Sequence, residues 1–169
     1  MNFSLDAASA ADAIVLQNLM QLYTHDFSEF WAGTPRGELM QNGRFPDYPL
    51  DTYFESPRRS AFLCKADGKL AGFALVNDES HSTLPTEYSV AEFFVVRKYR
   101  GKGLGLLIAQ CLFQRYPGTW EVAVARKNES ALRFWREAIR RFAAQDSISE
   151  LDANGPEWNG PIIRFQAAV

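Results

Sequence analysis

One stretch narrows the folds open to this chain more than any other: Phe93-Phe94-Val95-Val96-Arg97-Lys98-Tyr99-Arg100-Gly101-Lys102-Gly103-Leu104-Gly105. Tyr88 to Val96 is rich in aromatic and β-branched residues and reads as a largely buried strand. Beyond it, Leu104, Leu107, Ile108, Cys111 and Leu112 recur at helical spacing until Pro117-Gly118 stops the helix. The chain therefore turns sharply from strand into helix, and glycines at the turn admit positive φ and close approach of a ligand to the backbone. The first turn of such a helix offers unpaired N–H groups and a partial positive charge. Arg97, Lys98, Arg100 and Lys102 add cations able to make charge-assisted bonds to phosphate. Together these features predict a pyrophosphate cradle.

Phosphate cradles differ in spacing. A P-loop needs G-x-x-x-x-G-K-[ST], which does not occur. The dinucleotide fingerprint needs a third glycine where Leu106 stands, and although Glu121 lies where a ribose-binding acid would, the turn follows a hairpin instead of opening a βαβ array. The third pattern, [Q/R]-x-x-G-x-[G/A], is met by Arg100, Gly103 and Gly105. It resembles the acetyl-coenzyme A signature of the GNAT superfamily of N-acetyltransferases. Asn128, Ala131 and Trp135 stand at the spacing of that superfamily's second signature, N-x-x-A-x-x-x-Y. The resemblance covers roughly residues 61–142.

The rest of the pattern agrees with that order of elements. Ile14, Val15, Leu19, Leu22 and Tyr23 predict a first amphipathic helix from Ala11 to about Phe27. Residues 31–57 are rich in Gly, Pro and aromatics, with at most a short helical piece around Gly37 to Asn42. Ala61 to Lys65 and Lys69 to Val76 flank Asp67-Gly68, a hairpin signal. Thr119 to Ala125 reads as a strand and Glu129 to about Arg141 as a helix; Phe142 to Leu151 and Ile162 to Ala167 read as two last strands. The expected fold is α/β: a GNAT-like acyl-CoA N-acyltransferase fold with a mixed, mostly antiparallel central sheet and helices on both faces, forming one domain over residues 1–169.

The resemblance implies acetyl transfer from acetyl-CoA, as co-substrate, to a primary amine by direct attack in a ternary complex. By position, the backbone of Phe93, Phe94 and Val95 would bond the pantetheine arm. The segment Gly101, Lys102, Gly103, Leu104, Gly105 and Leu106, with Arg100, would hold the pyrophosphate, and Asn128 would contact the arm from the other side. The two central strands would splay where the thioester enters. An alkyl ammonium must lose a proton to attack, which costs about 4 to 5 kcal/mol at pH 7. Glu92 and Glu121 are both candidates to take it, with plain strand-surface or ion-pair roles as alternatives. At the family's tyrosine, an acid for the departing thiolate, this chain has Trp135, whose indole can donate a hydrogen bond but not serve as that acid. The Val95 N–H is the candidate oxyanion donor. No metal is implied.

An aromatic wall beside an acid suits a cationic acceptor, so Tyr23, Asp26 and Phe27, within a region also holding His25, Trp31, Phe45, Tyr48 and Tyr53, are the candidate substrate-binding residues. Partners are a small-molecule or peptide amine, in a monomer or homodimer. The rival reading is a non-catalytic acyl-CoA-binding sensor or interaction module. A net charge of −2 argues against nucleic acid. The N-terminus lacks a basic start, and no apolar run approaches the ~20 residues of a membrane span, so a cytoplasmic protein is expected. Cys64 and Cys111, far apart in apolar contexts, read as buried free thiols.

Overall fold

Asp67 and Gly68 both adopt positive φ, 49° and 74°, as a tight two-residue hairpin requires. They fold β2 (Ser60–Ala66) onto β3 (Lys69–Asn77) in antiparallel register. In the computed structural model, which describes residues 2–167, this hairpin belongs to a seven-stranded sheet. β4 (Tyr88–Val95) pairs antiparallel with β3, and β5 (Gly118–Ala123) lies parallel to β4. The C-terminal hairpin of β6 (Ser149–Asn154) and β7 (Asn159–Ala167) joins through β7. The other edge is β1 (Phe3–Ala7), which sequence reading missed; it is short, and only Leu5 is buried.

Helices cover both faces. On one, Leu104, Ile108 and Leu112 of α3 (Leu104–Arg115) and Ala138 and Ile139 of α4 (Glu129–Phe142) share a core with Phe62, Trp120 and Phe165. On the other, Leu16, Leu19 and Met20 of α1 (Ala13–Ser28) pack with Leu50, Tyr53, Phe73, Leu75 and Phe94. Residues 37–42 form no helix where a short helical piece was expected, only turn and irregular backbone, with Gly37 and Gly43 at φ 73° and 76°. A one-turn helix, α2 (Thr52–Glu55), follows instead. α4 runs through Phe142 because Ile139 and Phe142 continue its apolar stripe, so β6 starts later than expected. Cys64 is buried and its thiol is pushed up to about 12 by burial, whereas Cys111 is only half-buried; both are free. Among the described residues no helix is long and apolar enough to cross a membrane.

The decisive irregularity is in β4. Leu75 faces Glu92 while Val76 faces Val90, so Ala91 is an extra residue, a bulge. Bulges bend a strand and re-aim its side chains. β4 and β5 pair only at Tyr88↔Trp120 and Ser89↔Glu121, and then part. Past the bulge, Phe93 packs on Phe134 and Trp135 of α4, while Phe94 packs on Tyr23 of α1. Strand alternation puts Glu92 on the α1 side with Phe94.

Candidate active site

The opened strands create a cleft of about 640 Å³. Its floor is β4. In the antiparallel ladder Gly72 faces Val95 and Val96 N–H donates to Ala71 O at 2.8 Å, a pattern that leaves the backbone groups of Phe93 and Val95 pointing away from β3, into the gap. Phe93, Phe94 and Val95 all line the cleft. The Val95 carbonyl accepts from Arg100 Nε at 2.6 Å, which ties the basic turn to the strand end.

At the cleft's far wall, Gly103 is the N-cap of α3 at φ 81°. The first helical bond there runs from Leu107 N–H to Gly103 O, so the amides of Leu104, Gly105 and Leu106 have no helical partner. A Cβ on Gly101 or Gly103 would meet only open space, whereas one on Gly105 would sit 3.0 Å from the Phe134 ring. Gly105 thus lets α3 approach α4 closely. Asn128 caps α4, its Oδ1 accepting from Ala131 N–H at 3.1 Å, and it lines the cleft with Ala131 and Phe134. Leu104 is buried in the core and Lys102 is exposed outside the cleft, so neither side chain faces it. Unpaired helix amides, missing Cβ atoms and strand amides facing a long cleft fit a cofactor with an anionic end and an extended amide-bearing arm. Among the described residues no group of three His, Cys, Asp or Glu side chains is placed to hold a metal.

The two carboxylates have opposite surroundings. Burial raises Glu92 from 4.5 to about 7, and the neighbouring Tyr23 and Tyr48 hydroxyls pull partly back. Glu121 has no exposure. It accepts from the Ser80 and Ser82 hydroxyls at 3.1 and 2.6 Å and from the His81 amide at 2.5 Å, and pairs with Arg164 at 2.8 Å. Burial alone would raise its pKa; the donors from Ser82, His81 and Ser80 more than offset that and hold it below the ordinary value.

The acetyltransferase (GNAT) family model matches residues 16–138, most of the chain and all of the cleft's central elements. The chain belongs to the GNAT acetyltransferase family. No curated protein sequence matches it. Among solved structures, the PaiA N-acetyltransferase of Thermoplasma acidophilum in complex with coenzyme A superposes with TM-score 0.63 at 13% identity, covering 98% of this chain and 99% of that one. The spermidine N-acetyltransferase of Vibrio cholerae in complex with CoA and spermine gives 0.61 at 13% identity, covering 97% and 95%. An acetyltransferase from Thermus thermophilus gives 0.61 at 14%, covering 98% and 96%. At these identities the likeness shows the shared fold.

Within this GNAT chain, several expected site residues have other surroundings. Neither Glu92 nor Glu121 is among the residues that line the cleft; Glu121, expected as a second candidate base, is engaged in anchoring the 80–86 loop. Trp135 is buried, its ring 4.8 Å from Phe93, and Phe134 presents the cleft wall in its place. Asp26 lines the cleft with Tyr23 and Phe27 but is no free acid for an amine: Arg97 reaches Oδ1 at 2.6 Å and Arg100 Oδ2 at 2.5 Å. Burial opposes its ionisation, and the two guanidiniums outweigh that and lower its pKa. The same bonds occupy two of the four cations of the turn. Sequence reading missed Phe134, although Asn128, Ala131 and Phe134 at three-residue steps signal one helix face.

Proposed function

We propose that this chain is one domain that uses acetyl-CoA to acetylate a primary amine by direct attack in a ternary complex. When bound, acetyl-CoA supplies an acyl group already activated as a thioester. The backbone amides of Phe93 and Val95 hold and orient the arm, and the first-turn amides of α3 hold the phosphates. The Val95 N–H, turned into the gap, donates to the oxygen on which charge develops, a preorganised contribution typical of acyl transfer. Glu92 takes the proton of the incoming ammonium. Thiolate departure needs little help, because a thiol of pKa ~8.5 costs only about 2 kcal/mol to release as an anion at pH 7. A buried Trp135 at the family's tyrosine position is compatible with that.

One observation carries this reading: outward-facing amides of β4 and unpaired first-turn amides of α3 line one cleft where β4 and β5 part; on the same strand, burial raises the Glu92 carboxyl to about 7. A base with that affinity is half-ready at neutral pH, where it works best. The test measures CoA release from acetyl-CoA with a panel of primary amines, for the wild type and Glu92→Gln, beside calorimetric titration of acetyl-CoA. Turnover that falls in Glu92→Gln while acetyl-CoA binding is kept supports the reading. Binding without turnover on any amine supports the sensor reading instead, which the indole of Trp135 in place of a phenol favours.

A further inference from the structure

Asp26 stands where an incoming anion would go. It lines the cleft together with Arg97, Arg100, Gly101 and Gly103, the segment that leads into the unpaired amides of α3. Each of its carboxylate oxygens is taken by a guanidinium. Oδ1 accepts from Arg97 Nε at 3.0 Å and Nη2 at 2.6 Å, and Oδ2 accepts from Arg100 Nη2 at 2.5 Å. Guanidiniums hold phosphate oxygens by the same forked bonds. Asp26 lies on α1, 71 residues before Arg97, so the contact clasps the end of a helix to the basic turn. The buried residues of α1, Leu16, Leu19 and Met20, all precede that end. After Tyr23, which packs on Phe73 and Phe94, the helix runs out along the cleft through Asp26 and Phe27.

The two arginines are not equivalent. Arg100 has further ties: its Nε donates to Val95 O at 2.6 Å, and its guanidinium lies 5.5 Å from the Phe94 ring centroid. The Arg97 side chain is 70% exposed and, among the described residues, bonds Asp26 alone. An anion that reaches the glycine turn therefore meets one fixed cation and one that is free to change partner. A phosphate is the stronger partner, since it offers more oxygens and more charge than a carboxylate. We infer that Asp26 is a resident stand-in for phosphate: it clasps Arg97 and Arg100 across the phosphate end of the cleft and competes with an entering diphosphate for Arg97. The chain thus binds its anionic ligand more weakly than its cations allow. The inference rests on the reading of this cleft as the acetyl-CoA site and adds to it an inhibitory contact from α1.

The test is calorimetric titration of acetyl-CoA, and separately of inorganic pyrophosphate, into the whole chain at several salt concentrations. Asp26→Asn keeps the shape of the side chain and removes the charge that holds both arginines. It should bind each anion about fivefold more tightly than wild type, the scale of one partly exposed ion pair, and lose more affinity as salt is raised. Should it fail to fold, Asp26→Ser carries the same expectation. Glu29→Gln is the control: Glu29 lines the same cleft but bonds neither arginine, so removing its charge should gain less than about twofold. In an Arg97→Gln background, Asp26→Asn should also gain less than about twofold, because the cation it would release is gone. Unchanged or weaker binding by Asp26→Asn overturns the inference. So does a gain matched by Glu29→Gln, which would reflect net charge alone, or one that survives in full without Arg97. Pyrophosphate held more tightly by Asp26→Asn while neither protein binds acetyl-CoA leaves the clasp standing and removes the acetyl-CoA reading. Acetyl-CoA bound equally by both proteins keeps that reading and removes the clasp.

Discussion

Glu121→Gln removes a negative charge from a place water does not reach. The carboxylate has no exposure and the Arg164 side chain only 12%, so the variant leaves a guanidinium buried without its counter-ion. The amide also offers one acceptor oxygen where two had served Ser80, Ser82, Thr86, the His81 and Ser82 amides and Arg164. Breaking one side of a buried pair costs about 3 to 5 kcal/mol. For a chain of this size that corresponds to a Tm lower by roughly 6 to 20 °C. Denaturant titration followed by circular dichroism reads the loss directly, and Glu121→Gln/Arg164→Met should recover much of it. The pH dependence has a definite sign. Because the folded pKa lies below the ordinary 4.5, the stabilisation is complete above that value and disappears as pH falls through the folded pKa, so the gap between wild type and variant should close in acid. Below its melting range the variant should keep turnover, losing less than the ~100-fold expected when a general base is removed. A gap under about 1 kcal/mol at pH 7, or one that persists at low pH, would refute an anchoring role.

Glu92→Gln should lower turnover by about 10²- to 10⁴-fold with acetyl-CoA affinity unchanged, and the wild-type kcat/KM should rise with pH through about 7 as Glu92 ionises. The same raised pKa costs stability: between 4.5 and about 7 the folded state holds a proton that the unfolded state has released. Glu92→Gln should therefore be the more stable protein at pH 8, by up to roughly 3 kcal/mol, and no more stable at pH 4; equal melting at both would contradict the burial account. Gly72→Ala would put a Cβ 2.1 Å from Phe94 O, so we expect a loss of about 1 to 3 kcal/mol in thermal or chemical unfolding and weaker acetyl-CoA binding as β4 is displaced into the cleft. Asp26→Asn releases Arg97 and Arg100; calorimetry should find acetyl-CoA bound tighter by roughly 1 kcal/mol and more steeply salt-dependent, whereas weakened binding would mean the arginines need Asp26 to be aimed.

The glycine turn from β4 into α3 was legible because its geometry is local. Glycine at 101, 103 and 105, a preceding apolar strand and a following helical period lie within one short stretch, and backbone amides at a helix start need no distant partner. The hairpin at Asp67-Gly68 was legible for the same reason, since both turn residues carry their φ preference with them. Residues whose role depends on a distant partner were not. Asp26 reads as a free acid until Arg97 and Arg100, more than seventy positions later, are folded onto it. Glu92 and Glu121 look alike in one dimension. A one-residue bulge turns the first toward tyrosines of α1 and the 45–48 segment, and strand pairing lays the second beneath Arg164 and a loop of hydroxyls. Sequence by itself determined the glycine-bearing turn from strand into helix, the hairpin and the order of elements from β2 onward, because each follows from short-range backbone preference and periodicity. Which carboxylate has its pKa raised and which has it lowered was decided by tertiary structure alone, because a pKa is set by burial and by donors that only packing brings within reach.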